Sequence, residues 1–118
     1  MKTNYLLFAI AWGLLISILS LLPTNQFPKT SLPLHIDKVI HAFLYGIWCI
    51  LFLAGQAKNK RTINSIIFII TSVSLYGFLI EVIQEYIIIY RTFDLLDALA
   101  NTCGAILFSF GFLKIKSN

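Results

Sequence analysis

Four long apolar runs, at 5–22, 39–54, 63–83 and 95–113, take up most of the 118 residues and leave only short polar stretches between them. A helix crossing the hydrocarbon core of a bilayer needs about 20 mostly apolar residues. Four crossings and three short loops therefore use the whole chain, with no length left for a separate globular domain. The runs are continuously apolar instead of alternating, which argues against a transmembrane β-barrel. The chain is 58% hydrophobic and 12% charged, against roughly 45–50% and 25% in soluble domains, which excludes a water-soluble globule. The sequence predicts an all-α membrane protein, a bundle of four transmembrane helices over about 5–22, 36–54, 63–85 and 94–113, forming one domain over 1–118.

The first run follows Lys2 and has some character of a signal peptide, but about 18 apolar residues exceed the usual 7–15 of such a segment and no A-x-A-like site follows. An uncleaved anchor is expected, ended by Pro23, Asn25 and Pro28. Nine basic residues give a net charge of +4, yet they are scattered between apolar runs and form no contiguous patch for a phosphate backbone, so nucleic acid is excluded as a partner. Cys49 and Cys103 lie inside apolar runs without metal or disulfide spacing and are expected to be buried packing residues.

The positions of the charges set the expected topology. With both termini inside, one side holds Lys2, Lys58, Lys60, Arg61, Lys114 and Lys116 and no acid. The other holds Lys29, Lys38 and Arg91 with Asp37, Glu81, Glu85, Asp94 and Asp97. Cytoplasmic loops are enriched in Lys and Arg, so a plasma-membrane, multi-pass protein with cytoplasmic termini is expected, with every carboxylate at the outer end. That end is where a site is expected.

On the second helix, Asp37 and His41 are one turn apart, and Tyr45 and Trp48 continue the stripe inward. A carboxylate beside an imidazole suits general acid or base work, although Asp37 as a helix cap and His41 as an interfacial histidine is the simpler reading. On the third helix, Glu81, Gln84 and Glu85 share a face above Gly77 and Ser74. Glu85 can reach water. Glu81 is deeper, where an acid costs about 2.5–3.5 kcal/mol on insertion scales, and an intramembrane acid is by default a candidate functional residue. On the fourth, Asp94, Asp97 and Asn101 recur at helical spacing, with Gly104 and Gly111 continuing the stripe as small residues for close helix approach. Asn101 also fits a purely structural bridge between helices. Arg91 is placed to pair with Asp94 or Asp97, or to hold a phosphate or carboxylate.

These residues, in this order, resemble the VanZ-like family: Ser20-Leu21-Leu22-Pro23, Asp37-Lys38 with His41 and Tyr45, Glu81 with Gln84, then Arg91, Asp94, Asp97, Ala100, Asn101 and Gly104. The resemblance implies a small multi-pass bacterial membrane protein, and it marks these polar positions as the family's. The family's namesake is associated with low-level resistance to the glycopeptide teicoplanin.

From the residues and the resemblance together, the expected function is an envelope protein whose outer-leaflet pocket binds, and in one version modifies, a lipid-linked or cell-wall ligand or glycopeptide. His41, Glu81 and Asp97 are the candidate catalytic residues. Asp37, Lys38, Tyr45, Gln84, Arg91, Asp94 and Asn101 are the candidate ligand-binding residues. Neither GxSxG nor HExxH occurs, so enzymatic activity is left open. No cofactor is implied. Three acids with His41 have the donor types for a divalent cation, but capping accounts for much of the acidic pattern and no metal is assigned. The alternatives are a structural lock of four helices by their charges, and an ion or proton pathway. The pathway lacks polar steps around Leu51, Ile69 and Leu107.

Overall fold

A computed structural model describes residues 3–21, 34–87 and 94–117. Four α-helices make up the described chain: α1 (Thr3–Leu21), α2 (Leu34–Gly55), α3 (Ile63–Ile87) and α4 (Leu95–Ser117). All four are long and apolar enough to cross a membrane. The expected helices are therefore present, with α2 starting earlier and α3 and α4 ending later than their apolar runs. Both Asp37 and Lys38 thus fall in the first turns of α2, and Lys114 and Lys116 in the last turn of α4.

Hydrophobicity alone does not hold these helices together, since lipid is as apolar as leucine. Large apolar side chains accordingly point outward, among them Phe8, Phe68 and Leu107. The interior instead uses close approach and hydrogen bonds. Helix α2 is central and packs most extensively on α4. There Gly104 lies against the backbone of Ala42, so closely that a Cβ would overlap its carbonyl. Helix α1 is pinned to α2 by two indoles: Trp12 Nε1 donates to the Leu44 carbonyl (2.8 Å) and Trp48 Nε1 to the Ala9 carbonyl (2.9 Å). The Ser17 and Tyr76 hydroxyls join α1 to α3.

Two helical placements differ from the sequence reading. Cys49 is buried as expected, but Cys103 is exposed on the outer face of α4; it is one residue from the Gly104 stripe, and about 100° of rotation carries it off the packed face. Gly111 also has no neighbour near the position of a Cβ, unlike Gly104, and lies on an exposed face of α4.

The short connection between α2 and α3 contains a single 3₁₀ turn at Lys58–Lys60. Arg61 closes the end of α2, with Nε donating to the Leu53 carbonyl (2.9 Å) and Nη2 to the Gln56 carbonyl (3.1 Å). This satisfies carbonyls that a helix end leaves without partners. Thr62 Oγ1 accepts from the Ser65 amide at the start of α3 (3.2 Å). The connection and the end of α4 meet at one end of the bundle, where Arg61 packs over Phe112. The acidic residues lie at the opposite end.

Candidate functional site

The acidic end is assembled by the first turns of α2 and α4 and the last turns of α3. Each helix contributes one residue to a central cluster. His41, Glu81 and Asp97 can each offer one oxygen or nitrogen atom, and these atoms all lie within 4.8 Å of one another. Glu81 and Asp97 are buried, at 2% and 3% exposure, and His41 is half-buried. Two carboxylates this close, away from water, require protons or a cation near them. A divalent cation is one species that these three donors could hold, since carboxylate and imidazole are both common ligands.

Lys38 supplies a cation beside the cluster. Its ammonium pairs with Asp94 Oδ2 at 2.6 Å and also with Asp97 Oδ1. The lysine is on the first turns of α2 and both aspartates open α4, so the ion pairs tie the two most closely packed helices where they begin. The Lys38 hydrogen bond holds the Asp94 carboxyl below its usual range. Asp94 also caps α4, its Oδ1 accepting from the Leu96 amide at 3.0 Å.

Asn101 orients the histidine. Its Oδ1 accepts a hydrogen bond from His41 Nδ1 at 3.1 Å. This contact leaves Nε2 as the other ring nitrogen. Nε2 is directed at the carboxylate of Asp97, 3.8 Å from Oδ2. Beneath Asn101, Gly77 makes room: a Cβ there would lie 2.8 Å from Asn101 Nδ2 and 3.0 Å from Tyr45 Cε1. Tyr45, 1% exposed, therefore forms part of the floor below this amide.

One turn beyond Glu81, Gln84 is buried and reaches α1, donating from Nε2 to the Ser20 carbonyl at 2.5 Å. Its Oε1 has no hydrogen-bond partner among the described residues. The sequence reading assigned nothing from α1 to this layer; the available signal was Ser20 at the polar end of an apolar run, whose carbonyl the helix itself no longer uses. Glu85 is exposed. Asp37 lies in the first turns of α2, with its side chain outside the described residues, and Arg91 is outside them altogether.

An imidazole held by Asn101 faces a carboxylate, and a second carboxylate from another helix is within reach. The arrangement can accept a proton from a bound group, return one, or orient a polar headgroup by hydrogen bonds.

Comparison with protein families gives a match to the VanZ/LLP1 model over residues 3–116. The chain belongs to the VanZ/LLP1 family. The match spans all four helices, so the membrane bundle and its polar cluster lie within the family's domain. No curated protein and no solved structure matches the chain.

Proposed function

We propose that this VanZ/LLP1 protein is a bacterial plasma-membrane protein that binds a lipid-linked or cell-wall ligand at the outer end of its bundle and handles protons on the ligand's polar group. The observation that carries this reading is the convergence of His41, Glu81 and Asp97 from three helices, two of them as buried acids. Both acids lie within membrane-spanning helices, where each is costly to insert and is by default a candidate functional residue. In this reading His41, Glu81 and Asp97 face the reacting or bound group. Asn101, Tyr45 and Gln84 hold the cluster in shape, Lys38 and Asp94 set its charge, and Asp37 and Arg91 complete the outer rim. The outward-facing Phe and Ile side chains adjoin the ligand's lipid portion.

The test is Glu81→Gln, which keeps shape and removes the exchangeable proton. Expressed in a strain deleted for the gene, the variant should accumulate in the membrane at the wild-type level. It should fail to restore resistance to teicoplanin or other envelope stress to the wild-type value, whereas Glu85→Gln should restore it. Full restoration by Glu81→Gln would exclude acid chemistry at this position. A variant that does not accumulate would favour the structural lock.

A further inference from the structure

We propose that the opposite, basic end of the bundle carries a binding site for the phosphate headgroup of an anionic phospholipid. A cavity of about 200 Å³ opens there, lined by Lys58 and Arg61 from the α2–α3 connection and by Leu113 and Lys116 from the end of α4. Among the described residues, three of the four that line it are cations. Lys60 and Lys114 lie at the same end but do not line the cavity.

The arginine is prepared for an anion. Its hydrogen bonds to the Leu53 and Gln56 carbonyls and its position over the Phe112 ring, 5.4 Å from the centroid, fix the guanidinium plane. Nη1 makes no hydrogen bond to a described residue, so donors remain for a phosphate oxygen. Lys116 Nζ approaches the same ring at 6.0 Å, which brings a second cation to the cavity from a different helix. Like charges gathered this closely repel one another, and a bound anion would relieve that repulsion.

The surroundings identify the anion. The cavity is at the ends of membrane-spanning helices, the depth at which phospholipid phosphates lie, and basic pockets between such helices take anionic headgroups. Leu113, partly buried against the core, gives the cavity one apolar wall. A topology signal requires only a number of Lys and Arg residues on one side. It does not require a cavity or a guanidinium fixed over a ring. The inference is independent of the acidic end.

The experiment uses the full chain in nanodiscs of phosphatidylcholine with or without phosphatidylglycerol, and measures lipid retained through detergent extraction by native mass spectrometry. Wild type should retain phosphatidylglycerol in preference to phosphatidylcholine. Lys58→Gln with Lys116→Gln should lower that retention about tenfold or more, while the charge-matched pair Lys60→Gln with Lys114→Gln, outside the cavity lining, should leave it nearly unchanged. Each single lining variant should give a partial loss, which keeps the test readable if the double variant is unstable. Equal loss in the two double variants would mean diffuse surface charge and would overturn the site, as would absence of any preference for the anionic lipid. Inorganic phosphate at millimolar concentration should not displace the lipid; displacement would make a soluble phosphate the occupant and overturn the lipid assignment.

Discussion

At the scale of single residues, the most consequential arrangement is one lysine on two aspartates. Lys38 is mostly buried and Asp97 almost completely so, and removing one partner of a buried pair strands the other charge. Lys38→Met should therefore destabilise the protein on the order of 3 kcal/mol near neutral pH, measured as a lowered unfolding midpoint in detergent. The effect should depend on pH in a defined direction. The hydrogen bond from Lys38 depresses the Asp94 carboxyl, so the stabilisation it contributes is fully present above the ordinary aspartate value of about 4. It is lost as pH falls through the lower folded-state value. The gap between wild type and Lys38→Met should narrow below about pH 4; a gap that widened there would contradict the ion-pair account. Sequence reading put both aspartates in the polar layer but did not pair them with Lys38, while Arg91, the cation it offered them, lies outside the described residues. Spacing along α4 shows which face Asp94 and Asp97 share, but not which residue of another helix stands opposite.

At the scale of elements, the same boundary between legible and illegible recurs. Helix existence followed from run length, because backbone groups in lipid must be satisfied within the helix, and four helices are present. Polar faces were equally readable: Glu81, Gln84, Asp97 and Asn101 are all buried. The apolar positions were not, as Cys103 shows, because lipid and protein interior are both apolar and no amphipathic period separates them. Glycines carry similar ambiguity, which packing resolves. Gly104→Ala would push a methyl into the Ala42 backbone of α2, and should cost about 1–3 kcal/mol as an overpacked interface. Gly111→Ala meets nothing and should be neutral or stabilising by up to about 1 kcal/mol through helix propensity. Thermal unfolding of the two variants in one detergent separates them; equal midpoints would show that α2 and α4 do not depend on this close approach.

At the scale of the molecule, the bundle is polarised. Lys58, Arg61, Lys114 and Lys116 mark one end, and the described acids Glu81, Glu85, Asp94 and Asp97 gather at the other. The insertion machinery reads the first of these signals, keeping Lys- and Arg-rich short loops in the cytoplasm. The α2–α3 connection has Lys58, Lys60 and Arg61 within four positions and no acid, so it should stay inside, which directs the buried acids toward the outer leaflet. Asn59, exposed in the 3₁₀ turn, reports on this directly. In a background with Cys49→Ala and Cys103→Ala, Asn59→Cys should be modified by a membrane-impermeant maleimide only after the cells are opened. Modification in intact cells would invert the orientation. It would place the His41, Glu81 and Asp97 cluster on the cytoplasmic side, where a cell-wall ligand on the outer surface could not reach it.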